Sequence, residues 1–393
     1  MSYLKWDLKQ WFTNPKNSVI YIVFLLVTLF YALRIAPSYA PVERIDPAEI
    51  EARYNDSVAF IERIESNTDA TYMQALSNLP QVKKQSIIDR KRLDALAAKD
   101  YRSYAVATAE WYNTNTMGPY KPEYYTGGNI FSDKEGFFAY IQTAKRYEGY
   151  TNLDMTITPE ILEERTALQT LQRLLSSGLL VFLLLIVLVL SADTVLRDRT
   201  HKTVLGGFPL TSLKQLFAKG ITIVIGATTL WVLMIPAFLI IGFQKGFGSL
   251  AFKIMAYSYG PSGFGVYDTI SLGRFFTYIA LYWLSWLFLL ILLSFVISLV
   301  FKSEFLILLS GILLFASRTY FINGTVLKPI YAYSPLSYVD PANIITGATN
   351  YLVSTDLLSA WKGLVVISLT NLLLLFVVWL LTRRTKPLVM QFR

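Results

Sequence analysis

Asp193, Arg197, Asp198 and Arg199 stand close together, followed by the only histidine, His201, and by Lys202, Lys214 and Lys219. Acids and bases alternating at this spacing make ion pairs and hold one surface in register with another charged surface. They do not make a hydrolytic centre, because no Ser/His pair or carboxylate pair accompanies them. Leu205, Phe208, Pro209 and Leu210 add an apolar, proline-punctuated patch to the same stretch. Farther along, Arg318 is the one charge expected to sit deep within a span, since Arg34 and Lys362 fall near the ends of their runs. A cation there costs at least about 2.5–3.5 kcal/mol on insertion scales unless it is paired or reaches the headgroups. Arg318 is therefore read as snorkelling to the outer surface or as paired, with Asp340 the available acid.

Other chemistry is excluded by what the chain lacks. It has no cysteine and one histidine, so neither a thiolate metal site nor a histidine cluster is possible. None of its 21 glycines is followed by lysine, which removes the P-loop, whose backbone amides cradle phosphate while the lysine neutralises it. No Asp or Glu falls inside an apolar run, an argument against proton coupling through an intramembrane carboxylate. No catalytic, metal-binding or cofactor-binding residue is expected in this chain, and it is not expected to be an enzyme.

Composition says what must position these residues. The 393 residues are 54% hydrophobic and only 16% charged, with mean hydropathy +0.43. Soluble domains carry roughly 25% charge, so an integral membrane protein is expected, with the lipid bilayer as its first partner. The net charge of +9 is partitioned: residues 38–170 carry 15 Lys/Arg against 20 Asp/Glu, and the remainder holds +14. A basic balance of this kind reflects membrane topology, and nucleic acid is not an expected partner.

Six apolar runs are long enough, or nearly so, for the about 20 residues a crossing needs: Val19–Ile35, Leu174–Ala192, Ile221–Phe243, Phe275–Phe301, Phe305–Ile322 and Leu358–Leu381. With the N-terminus inside, 13 Lys/Arg lie near inner ends and seven near outer ends, so both termini are expected to be cytosolic. Residues 1–17 are expected to form an amphipathic interfacial helix, with Leu4, Leu8, Trp11 and Phe12 on the apolar side and Lys5 and Lys9 beside them. Residues 18–37 form the first span. The soluble composition of 38–170 marks an extracytoplasmic domain with helices at Ala48–Ile64 and Phe137–Tyr147 and a loop or short hairpin at Asn113–Gly128. A further helix starts at Thr158-Pro159-Glu160 and is expected to run through Leu171 into the second span as a rigid stalk. Residues 171–393 hold five spans, the inner loop 193–219 and an outer segment, 323–357, apolar enough to re-enter the bilayer. The fold class expected is thus all-α and polytopic, with six transmembrane helices, an N-terminal interfacial helix and a mainly helical outer domain.

The loop reads Asp198-Arg199-Thr200-His201-Lys202-Thr203-Val204-Leu205, then Pro209-Leu210-Thr211, then Lys219, and the outer segment reads Ser334-Pro335-Leu336-Ser337-Tyr338. In this order the motifs resemble those of the membrane subunits of ABC transporters of the ABC-2 (type V exporter) class. The large insertion after the first span is similar to that of the branch exporting sodium and peptides. His201-Lys202 stands where that class often has glycine, and Asp198 where it often has glutamate. The resemblance implies a permease subunit in a bacterial cell membrane, paired with an identical or sibling permease and driven by a dimer of cytosolic ABC ATPases that holds the ATP and magnesium. It makes 193–219 the coupling loop, with Asp193, Arg197, Asp198 and Arg199 positioning it and Leu205, Phe208, Pro209 and Leu210 in contact. It makes Arg318, Tyr338 and Asp340 candidates for a translocation path taking an amphipathic peptide, lipid or drug-like substrate outward. Two other readings stay open from the residues: a membrane enzyme working through 40–170, and a sensor or immunity protein that sequesters a peptide outside.

Overall fold

The structure, a computed structural model, describes residues 3–41, 44–66, 73–114, 132–151, 153–199, 210–259, 265–301, 303–323 and 329–383, with the side chains of 73–75, 132–133, 198–199 and 317–323 outside that description. The protein is mostly helical. Its chain divides into two units, one of Met1–Pro37, Leu171–Ile241 and Phe276–Arg393, the other of Ser38–Thr170 and Gly242–Phe275.

In the first unit α1 (Tyr3–Thr13) ends at Asn14, whose side chain accepts from the Lys16 amide and caps α2 (Pro15–Phe30). Pro15 at the first helical position costs nothing there, since its missing N–H would have had no intrahelical partner. A π-helical turn, Tyr31–Ile35, carries α2 to 21 residues. The remaining long helices of the chain, introduced here in order after those of the second unit, are α10 (Ser212–Lys245), α11 (Leu272–Val300), α12 (Glu304–Asn323) and α15 (Ala360–Arg383). Pro15–Ile35, α10, α11 and α15 are each long and apolar enough to cross a membrane. An apolar stretch, Glu304–Ala316, is shorter.

The second unit is a row of helices: α3 (Pro47–Glu65), α4 (Met73–Ala97), α5 (Tyr101–Thr114) and α6 (Ser132–Thr151), each packed on the next. Asp46 caps α3 by accepting from Glu49 N at 3.2 Å. Asp100 caps α5, accepting from the Ser103 amide at 3.1 Å and its hydroxyl at 2.6 Å. The core between these helices is unusually polar and aromatic. Asp89 is fully buried and takes Arg53 through two nitrogens at 2.8 and 3.0 Å and Arg92 at 3.1 Å. Arg92 also reaches Thr108 and Tyr104, and Arg53 lies over the Trp111 ring at 4.6 Å. Tyr112, Tyr140, Tyr147 and Tyr150 pack edge to face or stacked at 4.9–6.1 Å and lead on to Phe252.

Two findings depart from the sequence reading. First, Phe243–Gly273 contains an antiparallel hairpin, β1 (Lys253–Tyr259) with β2 (Gly265–Ser271), pairing Tyr257 with Tyr267 and packing on α6. The all-α description thus misses two strands. Their aromatics look like interfacial anchors in sequence, yet Met255 and Tyr257 alternate inward at strand period. Second, the stalk is not continuous. α7 (Pro159–Leu162) is one turn, α8 (Ala167–Ser176) follows, and α9 (Leu179–Ser191) starts only after Gly178, at φ 102°. That left-handed conformation is open to glycine and ends a right-handed helix. The pair bends by 69° at this break, so five crossings result only if the bent pair counts as one. Most of Asn113–Gly128 lies outside the described residues.

The outer segment is compact where it is described. Two 3-10 turns, Pro329–Tyr333 and Pro335–Tyr338, lead into α13 (Pro341–Ile345) and α14 (Ala348–Leu352).

Candidate functional site

Eight of the expected site residues lie between Asp193 and Leu210. At the root of the loop, α9 unwinds through Asp193 into a 3-10 turn, Leu196–Arg199, and the far side resumes as α10 at Ser212. Asp193 accepts from Lys16 Nζ at 2.8 Å and from Asn14 Nδ2 at 3.1 Å. Lys16 also donates to the Val189 carbonyl at 2.9 Å, which satisfies the fraying C-terminus of α9. The junction between α1 and α2 is thereby tied to the end of α9.

A second tie lies deeper. Lys219, on the second turn of α10, is 0% exposed. Its ammonium donates to Thr194 O at 2.7 Å and pairs with Asp7 Oδ1 at 3.4 Å. Asp7 is also 0% exposed and faces Arg197 Nη2 at 3.8 Å, while Arg197 Nη1 donates to Gln10 O. One acid on α1 therefore holds one cation from the root of the loop and one from α10. Charges this deep are tolerated only when paired, because each unpaired ion costs several kcal/mol in desolvation. Around the cluster, Asp7 Oδ2, the Thr194 hydroxyl and both polar atoms of Gln215 are buried without a hydrogen-bond partner among the described residues. Buried polar atoms left open in this way are uncommon in native structures.

Two turns farther along α10 the contact becomes aromatic. Trp11 Nε1 donates to Tyr21 OH at 2.9 Å, and that hydroxyl donates to Gly226 O at 2.9 Å. A Cβ at position 226 would come within 2.4 Å of the Trp11 ring. Only glycine lets the indole rest on the α10 backbone. The buried face of α1 is thus Tyr3, Asp7 and Trp11, a stripe that shares Trp11 with the Leu4/Leu8/Trp11/Phe12 face read from sequence and is rotated from the rest of it. Asp7 is the residue that reading missed. Its signal is its position one turn before Trp11 in a helix otherwise carrying only cations.

The other expected residues fall as follows. Asp198 and Arg199 close the 3-10 turn, and their side chains lie outside the description. Leu205, Phe208 and Pro209 lie outside the described residues, as does His201. Leu210 is half-buried in the coil before α10. Arg318 is on α12 with its side chain undescribed, so the pairing with Asp340 has no described counterpart. Tyr338 is buried, its hydroxyl donating to Ala332 O at 2.9 Å and its carbonyl accepting from Trp286 Nε1 at 3.2 Å. Asp340 accepts from Asn343 Nδ2 at 2.5 Å. Tyr338 and Asp340 thus share one buried cap, apart in sequence and chemistry from the Asp7–Lys219 cluster. No family model, curated protein or solved structure matches the chain.

Proposed function

We propose that this protein is the membrane permease subunit of an ATP-driven exporter of the ABC-2 class, moving an amphipathic substrate with energy supplied by a separate ATPase. The observation that carries the proposal is the anchoring of residues 193–219 at both roots. Asp193 is held by Lys16, and Arg197 and Lys219 by Asp7. A loop that only joins two spans needs no buried ion pairs. A loop that receives force from outside the chain does, because its displacement must reach the spans without being lost in local bending.

In this reading the loop's residues divide by task. Asp193 and Arg197, paired with Lys16 and Asp7, fix its root. Asp198, Arg199, Leu205, Phe208, Pro209 and Leu210 meet the ATPase. A motor contributes only through contacts that differ between its two states, so this contact must change with nucleotide. α10 is 34 residues long, about 51 Å at 1.5 Å per residue. That exceeds the about 30 Å hydrocarbon thickness, so one continuous helix links the loop to the full depth of the bilayer and carries the loop's motion inward. Both termini are cytosolic in this reading, and a second permease subunit completes the path.

The test is co-purification of the chain in mild detergent followed by ATPase measurement. A nucleotide-hydrolysing companion is expected, and its activity rises when the permease is present. The combined Arg199→Glu and Leu205→Asp variant is expected to abolish that stimulation while leaving the thermal midpoint of the permease unchanged. Stimulation that survives both substitutions refutes the coupling assignment, and absence of any ATPase partner refutes the exporter.

A further inference from the structure

The faces of α10, α11 and α15 enclose an open groove of about 980 Å³, almost wholly apolar. It runs from Leu213 to Ile225 on α10 and from Ser368 to Val378 on α15. At 1.5 Å per residue these are about 18 and 15 Å, the depth of one leaflet of a hydrocarbon core about 30 Å thick. On α10 the groove lies at the N-terminal end, and on α11 and α15 it stops at Phe295 and Val378, more than one turn before the helices finish. That end is cationic. Lys214 is exposed on the helical face of α10 that also carries Phe217 and Ile221 of the groove wall, and it makes no ion pair among the described residues. Arg383 is exposed at the end of α15, with its guanidinium over the Trp379 ring at 4.9 Å. The sequence continues with Arg384 and Lys386. No carboxylate occurs on any of the three helices.

We infer that this groove is a binding site for an anionic phospholipid of the leaflet on the α10 N-terminal side. One acyl chain lies along the wall formed by Phe217, Phe288 and Leu372, and the phosphate meets Lys214 and Arg383. Depth and charge together select this occupant. An apolar peptide helix or a second copy of the chain would not need two cations at the rim, and a zwitterionic lipid would leave them uncompensated. Basic residues near a membrane surface each strengthen anionic lipid binding by about five- to six-fold, so two produce a preference of about thirty-fold. The inference requires only that these helices sit in a bilayer, and it stands or falls independently of any ATPase.

The experiment is native mass spectrometry of the delipidated full chain with dioleoyl phosphatidylglycerol or dioleoyl phosphatidylcholine, which share acyl chains and differ in charge. The wild-type chain is expected to retain the glycerol lipid about thirty-fold more strongly. Lys214→Gln with Arg383→Gln is expected to bring the two lipids to near parity. Gly220→Leu is expected to lower retention of both, because a Cβ at 220 points to Ile291 and Phe295 across the groove at 3.8–4.0 Å and a longer side chain fills it. If Gly220→Leu does not fold, Leu372→Trp fills the groove from the opposite wall. Parity in the wild-type chain, a preference that survives loss of both cations, or retention unaffected by the filling variants each overturns the inference. So does a dimer that dissociates on filling the groove, since a second copy is then the occupant.

Discussion

Removing the charge of Asp7 is the sharpest perturbation the structure offers. Asp7→Asn keeps the shape of the side chain and removes the carboxylate that faces Lys219, which is 0% exposed and also donates to Thr194 O. Breaking a buried pair by removing one partner costs about 3–5 kcal/mol, because the remaining ion has neither water nor a counter-charge. Arg197 adds little to this cost. It lies 3.8 Å from the acid and is 14% exposed, so it has a route to solvent. The cost is expected to fall on the docking of α1, the smallest element that can release Lys219 to water. Expressed as an opening equilibrium, about 3–5 kcal/mol is about two to four orders of magnitude, and amide hydrogen exchange over Tyr3–Thr13 should accelerate accordingly. Adding Lys219→Met removes the stranded cation and should recover most of the protection, since replacing both members of a buried pair with apolar groups is often neutral. If exchange in α1 changes by less than about threefold in Asp7→Asn, or if the double variant is worse than the single, the pair is not what holds α1 in place.

Further outcomes are expected. Gly226→Val should release α1 as Asp7→Asn does, because its Cβ meets the Trp11 ring at 2.4 Å; fluorescence of Trp11 in a background lacking the other tryptophans reports this. Asp89→Ala strands Arg92 and half-buried Arg53 and should cost the Ser38–Thr170 unit about 3–5 kcal/mol, read as limited proteolysis confined to that unit. At high pH the same unit should unfold abruptly. Burial pushes the Tyr147 and Tyr150 hydroxyls well above their ordinary value of 10, so the neutral rings are favoured only in the folded state. That contribution is intact below pH 10 and is lost as pH rises beyond it, when the unfolded chain sheds protons first; tyrosinate absorbance should rise in one step with loss of helix. In acid the sign reverses. The Ser103 hydroxyl and amide hold the Asp100 carboxyl below its ordinary 3.8, so its cap strengthens α5 above that pH and weakens as pH falls through it. Asp100→Asn should flatten that acid limb of the unfolding profile.

What was legible in the sequence was what periodicity and composition encode locally. Asp46-Pro47 announces α3, and the structure starts a helix there. The helical reading of Phe137–Tyr147 falls inside α6. The long apolar runs become helices able to cross a membrane, four of them by length and composition alone. What was not legible depends on contacts distant in sequence. Asp7 and Lys219 are 212 residues apart, and each reads locally as an ordinary charge beside a membrane. Lys16 and Lys219 count toward cytosolic positive charge in the topology argument, yet both are committed to partners. The hairpin of Lys253–Tyr259 and Gly265–Ser271 was hidden because strand alternation and interfacial anchoring use the same aromatic residues. The break at Gly178 was hidden because an apolar run tolerates a glycine as readily inside a helix as at its end; only φ 102° separates the two.

The same distance argument ties α1 to the roots of the 193–219 loop. An interfacial helix held only by its apolar face slides and rotates, because burial of apolar area is non-directional. Asp7 removes that freedom. Its carboxylate fixes the rotation of α1 about its own axis, while Trp11 on Tyr21 and Gly226 fixes the depth. Together they hold α1, the end of α9 and the start of α10 in one geometry. Atoms of Thr194, Gln215 and Asp7 that have no hydrogen-bond partner among the described residues lie inside this junction. A junction whose hydrogen bonds are incomplete in one arrangement has polar capacity to complete in another, which is the property expected of an element with two positions. Under that argument Gln215→Leu should make the present arrangement more stable and, in an exporter of the proposed kind, slow the coupled cycle. A Gln215→Leu chain with a lower thermal midpoint and unchanged transport would show instead that the junction is a fixed support.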